Sequence, residues 1–435
     1  MTDAAESLPS SLGARDAVAI TVGIVVGAGI FRTPSLVAGA SSSEAAVLLA
    51  WAAGGLISLV GALCYAELAS AFPHPGGDYH FLARAFGRPL SFLYAWARLA
   101  VIQTGSIALL AFVFGDYATQ LLPLGPASPA VYAALAVGLL TGLNWWGIRA
   151  GVRAQNWLTA AEVLGLLLLI VAGLLLAPSA PAAPPPAGDT SFGLLMVFVL
   201  LTYGGWNEAA YVSAELRGAR RAMAPVLISS LAIVTLLYLL ANAAYLRALG
   251  LSGTAASDAV AADVMRRAFG DGGAALISLV VAVSALTSAN ATVMTGARSA
   301  YALGRDHPAL AVLGRWRTAG GAPGNALLVQ GAAALVLVGL GALARDGFRL
   351  AVEYTAPVFW FFFLLVGVSQ FVLRRREPDA SRPFRTPLYP LTPLVFCAVN
   401  AWLLYASLAY TGWGALVGVG VLAAGGGLLL LLRGR

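Results

Sequence analysis

Apolar runs long enough to cross a bilayer follow one another along nearly the whole chain. A hydrocarbon core takes about 20 residues of helix. Runs of that order fall near 14–40, 44–71, 88–114, 128–148, 155–177, 191–214, 224–247, 272–303, 324–343, 349–373, 387–409 and 411–432. A backbone in lipid must satisfy its own hydrogen bonds, so runs of this length are read as helices. The prediction is an all-α integral membrane protein with 12 transmembrane helices. Composition agrees: 60% of residues are hydrophobic and 10% charged, too little polar surface to clothe a soluble globule. The first run is far longer than the apolar part of a signal peptide and lacks a small-residue cleavage site, so it is read as retained.

Charge gives the expected orientation. Arginines cluster in alternate loops: Arg84 and Arg88; Arg149 and Arg153; Arg217, Arg220 and Arg221; Arg305, Arg315 and Arg317; Arg374 to Arg376 with Arg382 and Arg385. The positive-inside rule makes those loops and both termini cytoplasmic, in an inner (cytoplasmic) membrane. The formal charge of +7 therefore reads as topology, and basic residues scattered over short loops do not suit nucleic acid. All 26 basic residues are arginine. Cys64 and Cys397 lie in apolar runs and the three histidines in loops, so neither a disulfide framework nor a metal or haem ligand set is expected, and no cofactor is implied.

Two of the runs carry interruptions. Gly27-Ala28-Gly29-Ile30-Phe31, with Val26 before it as a further candidate for the binding site, breaks the first, and Tyr203-Gly204-Gly205-Trp206-Asn207 breaks the sixth. An unwound membrane helix exposes N–H and C=O groups, which is tolerable only beside a polar cavity, so paired breaks point to a binding site near mid-bilayer. The plain alternative is packing, since Gly23 and Gly27 also have GxxxG spacing. Residues 178–190 form a proline-rich connector suited to a semi-rigid joint or a plain spacer. Residues 255–269 have a helical period on the outer face, as a lid or as a passive interfacial helix.

Together with Tyr65-Ala66-Glu67-Leu68, Pro75-Gly76-Gly77-Asp78-Tyr79 and Arg382-Pro383-Phe384-Arg385, these breaks resemble the amino acid/polyamine/organocation transporter superfamily. The Gly-Gly-Asp-Tyr and Tyr-Gly-Gly-Trp-Asn strings are most similar to the L-type amino acid transporters. The resemblance runs from about residue 14 to about 410 and implies a LeuT-type fold. In that fold 1–13 is a cytoplasmic tail, 14–177 the first inverted repeat of five spans, 178–190 an extracellular loop and 191–373 the second repeat; 374–435 adds two C-terminal spans. It implies that backbone N–H groups at Gly27 to Ile30 take a substrate carboxylate, and that carbonyls around Tyr203 to Gly205 take its ammonium group. Ala28 stands where many relatives have serine, which removes a hydroxyl contact and leaves the backbone contacts. Tyr203 is expected as a gate over the substrate, with Trp206 and Asn207 as gate or pocket wall. Animal L-type transporters bond a heavy chain through a cysteine in the loop between spans three and four. Residues 115–127 contain none, so no disulfide-linked heavy chain is expected.

Ionisable groups in apolar runs carry most weight, because a charge at membrane depth costs about 3 kcal/mol or more. Four stand out: Glu67, Arg98, Glu162 and Glu208. Glu67, near the end of its helix, is read as structural or as part of an inner gate, together with Glu215. Glu162 lies about 10 Å into the fifth span, where relatives carry a lysine thought to replace a sodium ion. Three roles are open: proton coupling, an ion pair with Arg98, or cation binding beside Ser288 and Asn290. Glu208 follows the sixth-span break and is read as favouring a cationic side chain, or else as a gating or proton group.

The expectation is a secondary active amino acid transporter working by alternating access, as exchanger or proton-coupled symporter, with neutral substrates favoured over cationic amino acids or polyamines. A membrane-embedded amino acid sensor is the alternative from another class. No serine, cysteine or histidine constellation suits an enzyme.

Overall fold

The computed structural model describes residues 14–74, 76–147, 152–181, 192–208, 219–307, 310–317, 323–344, 346–410 and 413–433. The N-terminal tail, most of the proline-rich connector, Glu215 and Arg217 lie outside them. Every regular element among the described residues is helical. In chain order these are α1 (Ala14–Val25), α2 (Thr33–Gly39), α3 (Glu44–Ala71), α4 (Gly77–Phe86), α5 (Arg88–Leu121), α6 (Ser128–Trp146) and α7 (Val152–Val171). Then come α8 (Phe192–Thr202), α9 (Ala219–Ala255), α10 (Val260–Asp306), α11 (Gly324–Leu343), α12 (Gly347–Arg376), α13 (Leu391–Tyr410) and α14 (Trp413–Arg433). Seven of them, α3, α5 and α9 to α13, are long and apolar enough to cross a membrane, and α1 and α2 pass together as one span bent by 54°. Ala160–Leu176, Phe192–Thr202 and Ala415–Leu431 are shorter apolar helices.

Local chemistry sets the helix ends. Ser43 caps α3 by accepting the Ala46 N–H, and Asp346 caps α12 by accepting that of Arg349. Three arginines, Arg374 to Arg376, occupy the last turn of α12, where the carbonyl end of the helix favours positive charge. The outer faces carry large exposed leucines, among them Leu49, Leu135, Leu236 and Leu343, as lipid contact requires.

The interrupted helices lie between two long pairs. α9 runs against α3 on one side, and α10 against α5 on the other. Both α1 and α2 pack on α9, while α8 packs on α2, α3 and α13. Outside them, α6 and α11 cover α5, and α14 packs against α12 and α5. The helical period in residues 255–269 is the start of α10, which turns sharply at Gly270 (φ 69°). Val260 and Val264 are buried beneath it, while Asp263 and Arg266 pair on its exposed side. This segment therefore sits on the bundle as a packed amphipathic helix.

Candidate functional site

Helix α1 stops at Val25, Gly27 is extended (φ −103°, ψ −178°), and a 3-10 turn over Ala28–Phe31 leads into α2. Helix α8 stops at Thr202, Gly205 takes φ +105°, and a second 3-10 turn covers Trp206–Glu208. The two breaks touch. The Thr202 hydroxyl donates to Thr33 Oγ1 or to the Phe198 carbonyl, at 2.8 and 2.9 Å. A Cβ on Gly205 would lie 3.0 Å from Ile24 Cγ2 and 3.2 Å from the Ile24 carbonyl, so both the backbone angle and the approach of the first break require glycine there.

Unwinding frees backbone groups, and the structure shows which are taken. Tyr238 of α9 donates to the Val25 carbonyl at 2.7 Å and also lies 3.2 Å from the Thr202 carbonyl. Tyr245 donates to the Ile30 carbonyl at 3.2 Å, and Tyr117 of α5 to that of Phe31 at 2.8 Å. Carbonyls of the first break thus have phenol donors. Its donors do not fare likewise: the N–H groups of Ala28 and Gly29 have no carbonyl partner among the described residues. In the second break the Tyr203 and Gly204 carbonyls accept no hydrogen bond among the described residues. Among the described residues, then, one break keeps donors without partners and the other, in contact with it, keeps acceptors without partners. That is the chemistry a zwitterion needs.

The side chains of the second break divide. Tyr203 is fully buried against Trp51 and Tyr238, and its hydroxyl donates to the Trp51 carbonyl, so the residue expected as a gate is held in the core between α3 and α9. Trp206 is buried edge-on to Tyr65, 5.0 Å between centroids, and beside Phe363, a wall of rings between α3 and α12. Asn207 is buried too. Glu208 is one-third exposed and paired with Arg98, whose Nη2 lies 3.2 and 3.3 Å from its two oxygens.

That pair corrects one sequence-based alternative. Arg98, the first residue of a π turn of α5 over Arg98–Ile102, serves Glu208 and not Glu162. Glu162 is buried in α7 beside the Ser284 hydroxyl of α10 and within electrostatic reach of Tyr238. Its Oε1 has no hydrogen-bond partner among the described residues. Ser288 lies one turn beyond Ser284, whereas Asn290 turns to α6 and accepts from Asn144 at 2.7 Å. The expected trio is therefore only partly assembled.

Each end of the bundle holds a charged cluster. Arg32, just after the first break, pairs with Asp116 of α5 (3.2 Å), Asp346 before α12 (3.0 Å) and Asp258 before α10 (3.4 Å). At the arginine-rich end Glu67 is gripped by Arg374 through two hydrogen bonds of 2.7 and 2.5 Å, and it accepts the Thr386 N–H at 2.7 Å. Arg382 adds a contact at 3.6 Å. Sequence reading found Glu67 but missed Arg32, Asp116 and the three tyrosines. The signal was available only for Arg32, a charge inside an apolar run; Asp116 falls just beyond the run 88–114.

The sequence profile of the amino acid permease family matches residues 12–421. The chain belongs to the amino acid permease family. That is a family of transporters, not of enzymes, and this permease is a multi-pass membrane protein that transports amino acids. Among curated proteins it is similar to the b(0,+)-type amino acid transporter 1 of Rattus norvegicus, 30% identical over 417 residues, covering 92% of this chain and 83% of the relative. It is also similar to the large neutral amino acids transporter small subunit 2 of Oryctolagus cuniculus, 30% identical over 444 residues (98% and 79%). The protein of the same name in Homo sapiens is 30% identical over 446 residues (98% and 79%).

Proposed function

We propose that this permease carries neutral amino acids across the cytoplasmic membrane by alternating access, as an exchanger or proton-linked symporter. The reading rests above all on two touching breaks, one with Ala28 and Gly29 N–H groups and the other with Tyr203 and Gly204 carbonyls that have no partner among the described residues. A substrate carboxylate binds the first pair and its ammonium group the second, which leaves the side chain to select. Arg98 supports the neutral choice. A pocket carboxylate would attract a cationic side chain, but Glu208 already has a guanidinium on both oxygens. The cationic or polyamine alternative needs that pair broken.

The long contacts of α3 with α9 and of α5 with α10 support a twelve-span, five-plus-five inverted repeat, since they join second to seventh and third to eighth spans. Both termini are then cytoplasmic, as the arginine pattern favours. Glu162 is the proposed coupling group, buried beside Ser284 with an oxygen left without a partner among the described residues. No disulfide-linked subunit is proposed, because Cys64 and Cys397 both lie in helices.

The test is uptake of labelled neutral and cationic amino acids into proteoliposomes, with and without internal substrate and an inward proton gradient. Neutral amino acids should accumulate, and Glu162→Gln should abolish the gradient-driven part while exchange persists. Transport restricted to cationic substrates would overturn the neutral assignment, and a gradient response unchanged in Glu162→Gln would overturn its coupling role.

A further inference from the structure

One buried acid takes no part in the site so far. Asp78 lies in the first turn of α4, which is not among the crossing helices, and is 2% exposed. The Tyr94 hydroxyl donates to its Oδ2 at 3.2 Å, and the Tyr65 hydroxyl lies beside it. Arg98 Nη1 donates to the Tyr94 oxygen at 3.4 Å, while Nη2 of the same guanidinium grips Glu208. One cation therefore stands between two carboxylates. It touches Glu208 directly and reaches Asp78 through a phenol.

We propose that Asp78 is a proton-binding site governed by the sixth-span break: it holds a proton while Arg98 pairs with Glu208, and releases it to water when Glu208 withdraws and leaves Arg98 to Asp78. Two carboxylates around one guanidinium in a buried site cannot both stay ionised cheaply. Glu208 is the better-solvated of the two, one-third exposed, and it has the direct contact with Arg98. Burial, then the Glu208 charge, pushes the Asp78 carboxyl up to about 7, with Arg98, Tyr65 and Tyr94 opposing. Around α4, α3 contributes Tyr65, α5 contributes Tyr94 and Arg98, and the second 3-10 turn contributes Glu208. Helix α12 meets α4 at its far end, with Arg376 on the Ala85 carbonyl and Glu377 on Arg84, and His74 and His80 stack on each other at 4.1 Å. Glu208 follows the break in α8, so any rearrangement of that break changes the field at Asp78. A proton count is thereby tied to the position of the sixth span, at a place separate from Glu162. Only that motion rests on the transport reading.

Infrared difference spectroscopy of the full chain in lipid tests the proposal without flux, so its failure is distinguishable from failure of transport. Raising pH through about 7 should remove a protonated-carboxyl C=O band. Because protonated Glu162 would give a band of its own, the comparison is made in Glu162→Gln, where the band should be retained, and adding Asp78→Asn should remove it. In Glu208→Gln its midpoint should fall by about one unit or more, because a negative neighbour is lost and Arg98 is freed. A band that persists in Glu162→Gln with Asp78→Asn overturns the assignment to Asp78, and a midpoint unmoved by Glu208→Gln overturns the competition for Arg98.

Discussion

The two ends of the bundle are electrostatic opposites. At one, a single arginine, Arg32, is shared among Asp116, Asp258 and Asp346; at the other, a single carboxylate, Glu67, is shared between Arg374 and Arg382. Both central groups are buried, yet they are not equally secured. Glu67 has a two-bonded guanidinium and a backbone N–H, and it ties α3 to α12 and to the segment before α13. Arg32 sets one positive charge against three carboxylates, and its Nη2 is shared between Asp258 and Asp346. One of them, Asp258, is 83% exposed and bonds through a loop. A carboxylate with fixed donors behaves as a staple, whereas a cation among surplus acids can change partners at low cost. The Glu67 contacts therefore hold their end the more firmly, and the Arg32 end is the easier of the two to open.

Removing each central group should break this contrast most clearly. Glu67→Ala leaves Arg374 and Arg382 without their carboxylate, and the loss of one partner from a buried pair costs about 3–5 kcal/mol. The unfolding midpoint in detergent should drop sharply; a midpoint within a degree or two of the parent would mean Glu67 is no staple. Arg32→Gln should act on conformation more than on folding, because three acids left together repel. Labelling of a cysteine placed near Ser35 should speed up about tenfold, a change of roughly 1.4 kcal/mol in the open–closed balance. Equal labelling rates in the two proteins would remove the case for a reopening end. Asp258→Asn sharpens the comparison at its weak edge. An exposed partner contributes about 0–1 kcal/mol, so labelling should change less than in Arg32→Gln, and high salt should erase the difference. If Asp258→Asn matches Arg32→Gln, the loop and not the helices holds that end.

What the sequence made legible follows from what is local. The breaks at 27–31 and 203–207 could be read because glycine pairs inside apolar runs have few meanings in lipid. The helical period of 255–269 could be read because Val260 and Val264 alternate with Asp263 and Arg266 at helical spacing. Partners across the fold were another matter. Arg98 had two acids to choose from, and neither its pairing with Glu208 nor the π turn at which it stands is recorded by an apolar pattern. Tyr117, Tyr238 and Tyr245 look like packing residues in any linear reading, and only their hydroxyls, each aimed at a freed carbonyl, show their work. Arg32 is visible as a charge inside the first apolar run, but its meaning depends on acids from three other segments.

The Tyr238 hydroxyl is within reach of two carbonyl oxygens, one on each interrupted helix, but it carries a single hydrogen. It stands closer to Val25 than to Thr202, by 2.7 against 3.2 Å. If the two breaks slide apart, that hydrogen has to stay with one helix, and the oxygen of the other must find another donor, such as water or the incoming ammonium group. A lone phenol thus acts as a referee between two moving parts, and every separation of those parts creates a vacancy that the cargo is chemically equipped to fill.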